Sequence, residues 1–547
     1  MNPPLELSHR SVALLALAAL VLWFANLDYR KLIKPDEGRY AEISREMMVS
    51  GDWVTPRLNG IKYFEKPPLH YWAGAAAMSL FGTREWTARL WSALTGLLGI
   101  VAAWYAGRRL IGPRAGMLAA SILGSTLMYV VVGHLNTLDM GLTLFLFVAL
   151  CGFLLAQRDG ASPRENAIWM HVAWAAMAAA VLSKGLVGVV IPGATLVLYT
   201  LIQRDWRLWR RLHLITGTLL FLAIAAPWFV LVSARNPGFA WFFFVHEHFL
   251  RYTTQIHQRG EPWHYFIPLL VAGGLPWTVV MAHALWHGWK TEPERAFQPR
   301  RFLVLWSVFV FLFFSASGSK LPPYILPLFP ALALLAAAHV TTLSGRTLGW
   351  QLLPVMVLAL GVLVGLVFVR SSGDTPAELI QSFKPWLAAG ALASMAAVAW
   401  AVRLAWLRGI EAAVLTAALG ALLAVQLMLT GHESVSPSMS AYRLAQAVKP
   451  SLKPDAPFYS VAMYDQTLDF YLGRTVTLVE FRDELDFGLQ QEPQLAIPTV
   501  GDWIELWRAQ PYAFAIMEKI NYDRFAAAGL PMELIAHDQR RYVVKTP

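Results

Sequence analysis

The stretch KPDEGRYAEISREMMVSGDWVTPRLNGIKYFEKPPLHYW, from Lys34 to Trp72, sets Asp36 and Glu37 beside Arg39, and Glu65 beside Lys66. A carboxylate can act as a general base or hold a cation, and Lys and Arg are the side chains that grip phosphate. Pro35 suits a first helical position and Asp36 and Glu37 suit a helix N-terminus, so PDEGRYAEISREMM predicts an amphipathic helix lying at a membrane surface. Its apolar set is Tyr40, Ile43, Met47 and Met48, and Asp36 and Arg39, three apart, face the same way. Spacing alone leaves two readings of Asp36, a cap for this helix or a site carboxylate. Further on, Tyr63, Glu65 and Lys66 precede a double proline and an apolar segment, Leu69 to Phe81, too short to span a bilayer and suited to a re-entrant or interfacial helix. Lys66 is then either a snorkelling anchor or a partner for a lipid phosphate.

Other groups with chemical potential are scattered along the chain. Asp139 in HLNTLDMG stands at the start of an apolar run, where a carboxylate is either a cap or functional. Lys184 in LSKGLVG, and Lys320 with Tyr324 in SGSKLPPYILPLFP, add cations and a hydroxyl. The segment FFFVHEHFLRYTTQIHQRGEPWHYF gathers His246, Glu247, His248, His257 and His264, and with Glu65 could supply ligands for a structural divalent metal such as zinc. The i, i+4 histidine spacing of a hydrolytic zinc helix is missing there, which argues against a catalytic metal.

What positions these groups is a membrane bundle. Of 547 residues 56% are hydrophobic and only 15% charged, with mean hydropathy +0.47, against about 25% charged in an ordinary soluble protein. With about 20 apolar residues needed per helical crossing, the expected spans number 13: residues 11–27, 87–107, 115–133, 139–156, 167–183, 186–202, 213–233, 264–288, 302–316, 323–341, 350–369, 385–402 and 410–430. The first is expected to be a retained span rather than a cleaved signal. The single cysteine, Cys151, excludes an intramolecular disulfide and a cysteine-rich metal cluster.

The net charge of +10 has two readings, nucleic acid or topology. Short loops on one side (108–114, 158–164, 204–211, 290–301, 346 and 403–408) hold 16 Lys or Arg against seven on the other, which places the N-terminus in the cytoplasm and removes the main support for nucleic acid. The other face then receives residues 28–85, a first loop with the charged stretch, and residues 431–547. That tail reads as a small α/β domain, with strands in APFYSVAMYDQTLDFYLG, TVTLVEF, AFAIM and RRYVVKT, following a membrane domain of residues 1–430.

The order of the pieces, an N-terminal span, then PDEGRYAEISREMMVSGDWVTPRLNGIKYFEKPPLHYW, TLDM, SKG and SGSKLPPYILP, resembles the membrane glycosyltransferases of the GT-C fold that use polyprenyl-phosphate sugars. Among them it looks most like the lipid A aminoarabinose transferases, relatives of the protein O-mannosyltransferases, and the likeness covers the whole chain. It implies a mainly α, polytopic GT-C protein of about 13 transmembrane helices with a C-terminal α/β periplasmic domain. It implies transfer of 4-amino-4-deoxy-L-arabinose from undecaprenyl phosphate to a lipid A phosphate at the periplasmic face of the inner membrane, lowering lipid A charge and conferring resistance to polymyxin and cationic peptides. By motif, Asp36, Glu37 and Asp139 would be catalytic; Lys66, Arg39, Tyr63, Tyr324 and Lys320 would hold the donor phosphate; Tyr40, Glu65 and Lys184 would contact substrate; and Glu65, His246 and His248 would hold a structural metal, with no cofactor required for catalysis.

The reaction so implied is a direct displacement with inversion. Negative charge builds on the departing polyprenyl phosphate, and cations aimed there stabilise the transition state. A phosphate monoester acceptor has a second pKa near 6 and is already nucleophilic at neutral pH, so Asp36 acts as a base, orients the acceptor or holds the amine of the donor sugar. Two other classes share the outline: another polyprenyl-phosphate glycosyltransferase of mannosyl type, and a lipid-linked sugar transporter. A transporter needs internally repeated broken helices with mid-membrane charges, and no such repeat is seen.

Overall fold

The computed structural model describes residues 9–250, 261–370 and 375–547. Among them nine helices are long and apolar enough to cross a membrane, two bent pairs raise this to eleven, and Ala13–Phe24 and Val187–Gln203 are shorter apolar helices. Each of the 13 expected spans falls on one of these. The bends are what apolar length could not foresee. Pro113–Leu123 and Leu127–Gly133 meet at 65°, and Phe266–Gly273 and Thr278–Gly288 at 107°. The two breaks lock into each other: the Leu127 N–H donates to Leu275 O at 2.9 Å and the Trp277 indole to Ser125 Oγ at 2.9 Å. Backbone groups freed by a break inside a membrane need such partners.

The basic loops gather at one end of the bundle. Glu165 accepts from Arg158 at 2.6 Å and from Arg109 at 3.2 Å, Arg114 pairs with Glu411, and Asp159 accepts from the Ala296 and Phe297 N–H groups. At the opposite end sit the first loop and the C-terminal domain. In that domain strands β3 (Phe458–Val461), β4 (Thr477–Val479), β5 (Ala496–Ile497), β6 (Phe514–Glu518), β7 (Glu533–His537) and β8 (Arg541–Lys545) form a sheet ordered β5-β4-β3-β6-β8-β7, parallel up to β6 and antiparallel at β8 and β7; β1 (Arg57–Leu58) and β2 (Ile61–Lys62) form a hairpin in the first loop. The two-residue period of a strand divides the sheet's side chains between two cores. Tyr459, Val461, Val479, Ala515, Met517 and Val544 pack with Trp503, Trp507 and Phe525 of the domain's own helices. Phe458, Leu478, Phe514, Ile516 and Val543 turn the other way, into a core shared with Leu58, Ile61, Tyr63 and Ile43 of the first loop.

The first loop is therefore clamped between membrane helices and the sheet domain, and this corrects the expectation of a surface helix. The helix Asp36–Ser50 has its acidic residues in the first turn and closes at Gly51, whose left-handed φ of 70° returns an N–H to Met47 O. Every residue from Glu37 to Met47 is buried, charged ones included. The charges tolerate burial because they are paired: Arg45 with Glu42, Glu37 with Arg89, and Arg39 with Glu484. The close approach is also sterically demanding. A Cβ on Gly38 would stand 2.5 Å from Gln466 O, so only glycine lets the helix reach the domain. Reciprocal bonds between Asn59 and Val476 at 2.7 and 2.8 Å, and a two-pronged Arg57–Glu492 pair at 2.9 and 3.0 Å, continue the seam.

Candidate active site

A cavity of about 340 Å³ lies at the first-loop end of the bundle. Its polar wall comes from five segments: Glu65 and Lys66 before the short helix Leu69–Phe81, Asp139 in the first turn of Leu138–Gln157, Lys184 ending Pro163–Lys184, Glu247, and Ser317, Ser319 and Tyr324. Leu142, Val187, Val190, Phe244, Phe313 and Phe314 make the remainder apolar. The two lysines are held by acids rather than reaching for lipid head groups. Lys66 is buried, with Nζ 3.7 Å from Glu65 Oε2 and 3.6 Å from Glu247 Oε2. Lys184 Nζ is 2.5 Å from Asp139 Oδ1 and lies 4.6 Å from the centre of the Tyr324 ring. Asp139 thus holds a lysine, and its helix carries no side-chain cap at Thr137.

Asp36, Arg39, Tyr40 and Tyr63 form a second cluster that joins the cavity through Glu65. Asp36 Oδ1 accepts from Arg39 Nη1 at 3.0 Å and its side chain is 39% exposed, the accessible member of a buried set. Arg39 sits 5.9 Å from the Tyr40 ring centre, and Tyr40 lies against His70 and Tyr71. Among the described residues the buried Tyr63 and Tyr71 hydroxyls have no hydrogen-bond partner. Burial first, then the Glu65 charge, pushes the Tyr63 phenol well above its ordinary value, so Tyr63 stays a neutral donor. Burial acts against the Arg39 guanidinium, and Glu484, Tyr63 and Asp36 overcome it and raise it further, so Arg39 is permanently cationic.

Glu37 does not share the site with Asp36. Its Oε1 accepts from Arg89 Nε at 2.7 Å and from the Asn136 N–H at 3.0 Å, and its Oε2 from Arg89 Nη2 at 2.8 Å and the Ile33 N–H at 3.2 Å. Burial opposes ionisation, yet Arg89, Arg30 and the Asn136 N–H hold the carboxyl down at about 2. With both oxygens committed, Glu37 fixes the helix against Arg89 and is not among the residues lining the cavity. Lys320 is also turned from the cavity, donating to Ser317 O at 2.7 Å and Glu261 O at 2.9 Å and so shaping the loop that presents Ser317 and Ser319. Among the described residues no group of three or more His, Cys, Asp or Glu side chains is placed to hold a metal. His246 Nδ1 lies 3.1 Å from Glu247 Oε1, while the His248 side chain and His257 fall outside the described residues.

Glu484, Arg89 and Asn136 are contacts that motif reading does not assign, and Glu247 was read as a candidate metal ligand rather than as a partner of Lys66. Glu247 was visible as one acid among histidines; Glu484 lies in a segment of ordinary surface composition.

Residues 444–546 match the family described as "Aminoarabinose transferase C-terminal domain", and residues 65–231 match "Dolichyl-phosphate-mannose-protein mannosyltransferase". An undecaprenyl phosphate-alpha-4-amino-4-deoxy-L-arabinose arabinosyl transferase of Pectobacterium carotovorum subsp. carotovorum is 32% identical over 411 residues, 72% of each chain. The chain belongs to the aminoarabinose transferase family. A relative of the same name from Erwinia tasmaniensis is 33% identical over 340 residues, 61% of this chain and 60% of that one, so the chain matches about three fifths of that relative's length. Among solved structures, ArnT from Cupriavidus metallidurans bound to undecaprenyl phosphate is 42% identical, with a TM-score of 0.94 and 98% of both chains covered. An archaeal oligosaccharyltransferase, AglB of Archaeoglobus fulgidus, shares the fold alone, at 13% identity and a TM-score of 0.51. The aminoarabinose transferase fold is thus of the GT-C type, a helical membrane bundle with a small sheet domain at one end.

Proposed function

We propose that this chain is a glycosyltransferase that moves 4-amino-4-deoxy-L-arabinose from undecaprenyl phosphate to a phosphate of lipid A, at the periplasmic face of the inner membrane. The observation that carries the reading is the 340 Å³ cavity with two acid-held lysines at one wall and leucine, valine and phenylalanine on the other, a shape suited to a phosphate joined to a polyprenyl chain. The charge asymmetry of the loops supports the periplasmic placement.

In this reading Lys66 and Lys184 receive the donor phosphate as charge builds on its leaving oxygen, with Glu65, Glu247 and Asp139 holding the ammonium groups in place beforehand. Tyr324 keeps Lys184 over its ring and Tyr63 offers a neutral hydroxyl. Asp36, exposed and steadied by Arg39, takes the cationic amine of the sugar, while the acceptor phosphate attacks the anomeric carbon in its anionic form. Incubating the purified protein with undecaprenyl-phosphate aminoarabinose and lipid A tests this: lipid A gains the mass of one aminoarabinose, and its absence with folded protein overturns the reading. A structural divalent metal such as zinc, with Glu65, His246 and His248 as its ligands, is proposed on the histidine content of the His246 segment. About one equivalent by metal analysis, lost in His246→Ala, supports it, and metal-free active protein removes it.

A further inference from the structure

A second cavity, of 710 Å³, lies at the first-loop end where Lys34, the turn around Ser438 and the tip of the β7–β8 hairpin meet the start of the helix Ala377–Leu407. Its wall carries four cations, Lys34, Arg443, Lys519 and Arg540, against two carboxylates, Glu378 and Asp538. Most of this charge has partners. Asp538 is occupied by the Arg540 and Arg541 N–H groups at 2.9 and 2.6 Å, Lys519 reaches Asp523 at 2.6 Å, and Arg540 reaches Glu518 at 3.3 Å. Among the described residues Lys34 and Arg443 are left with no carboxylate in ion-pair contact. Burial, then the positive charge of Arg540, lowers the Lys34 ammonium from its ordinary value, and Glu378 is the carboxylate that shares this wall with Lys34 and Arg443. The helix Ala377–Leu407, long and apolar enough to cross a membrane, begins at its edge.

Lys34 also ties this cavity to the cluster around Asp36. Its backbone N–H donates to Met439 O at 2.9 Å, which fixes the segment between the two. Asp36 follows two residues later, at most about 7 Å along the chain. We infer that the second cavity holds a phosphate of the acceptor lipid other than the one that reacts, gripped by Lys34 and Arg443. Arg443 offers a planar fork of donors and Lys34 a compact point charge, the two forms of phosphate grip. The acceptor's reacting phosphate is thereby presented near Asp36 while the other stays behind Lys34. This inference rests on the proposed reaction, with lipid A as acceptor.

The test is steady-state transfer by the purified full-length protein to lipid A bearing two phosphates and to lipid A bearing one. In the double variant Lys34→Ala, Arg443→Ala, KM for the bisphosphorylated acceptor rises about tenfold or more with kcat within twofold, and KM for the monophosphorylated acceptor stays put. An equal rise for both acceptors, or for neither, overturns the inference. Arg443 is exposed, so Arg443→Glu alone leaves the fold intact and gives a shift in the same direction. If phosphatidylglycerol or inorganic phosphate at the acceptor's concentration moves the wild-type KM as far as the double substitution does, the cavity is a general phosphate site and the inference falls; no shift by either supports it. Failure of wild-type transfer to both acceptors overturns the reaction instead. Direct binding of bisphosphorylated lipid A, weakened about tenfold by the double variant, then still supports the cavity, and unchanged binding removes it.

Discussion

Arg39 of the first loop is ion-paired with Glu484 of the C-terminal domain while its Nη1 holds Asp36 at 3.0 Å. The sheet domain therefore takes part in setting the exposed carboxylate of the site, through one guanidinium. Breaking one partner of a buried pair costs about 3–5 kcal/mol. Arg39→Ala should lower kcat/KM for transfer by at least about a hundredfold. Glu484→Gln should lower it in the same direction by a smaller factor. Wild-type kinetics in Glu484→Gln would remove the domain from the mechanism.

Lys184→Met and Asp139→Asn both dissolve the pair at the cavity wall, one by removing the cation and one by releasing it. Each should raise KM for the donor about tenfold, and Lys184→Met should lower kcat as well, because the phosphate's charge grows in the transition state. Competition by undecaprenyl phosphate against labelled donor separates the two effects. Lowered kcat with unchanged donor affinity in Asp139→Asn would contradict a holding role.

Gly38→Ala should destabilise the seam. The added Cβ meets Gln466 O at 2.5 Å, a backbone atom that cannot swing aside, and overpacking of this kind costs about 1–3 kcal/mol. Thermal melting in detergent should show a lower transition, with activity falling alongside because Asp36 rides on the displaced helix. An unchanged melting temperature would mean that the domain yields at this contact.

Stability should fall on the alkaline side. Burial, then the adjacent Glu42 charge, pushes the Glu46 carboxyl up to about 8, and burial raises Glu42 and Asp469 as well. The folded protein thus holds protons that the unfolded chain releases near 4.5, so stability declines as pH rises from there towards 8. Glu37 works in reverse: held at about 2, it stabilises above its unfolded value and loses that contribution as pH drops from 4.5 towards 2. Melting temperatures from pH 4 to 9 should fall by several degrees on the alkaline side in wild type. Glu46→Gln, with its protonated-like amide, should flatten that limb, and an undiminished slope would assign the effect elsewhere.

The bundle was readable because membrane spans announce themselves by composition over about 20 residues. The interlocked bends were not, since Leu127 and Leu275 lie in runs as apolar as any straight helix. Sequence also placed Glu65, Lys66, Asp139, Lys184 and Tyr324 among the residues of interest, and the fold brings those five to one cavity. It could not separate Asp36 from Glu37. Neighbours on a helix point about 100° apart, and only the packing of Arg89 against one of them decides which is spent on structure. Arg39 and Glu484 are joined by topology alone, with nothing local in either segment to announce the other.

That separation fixes the order in which the protein can become active during synthesis. The first loop is made long before the domain it packs against, and Glu484 follows Arg39 by 445 residues. At about 5–20 residues per second the wait is roughly 20–90 s. Until the last fifth of the chain emerges, Arg39, Asn59 and Arg57 lack their partners Glu484, Val476 and Glu492, and the helix bearing Asp36 lacks the domain it packs against. A ribosome stalled before residue 484 would leave the bundle and its cavity with Arg39 short of its buried partner.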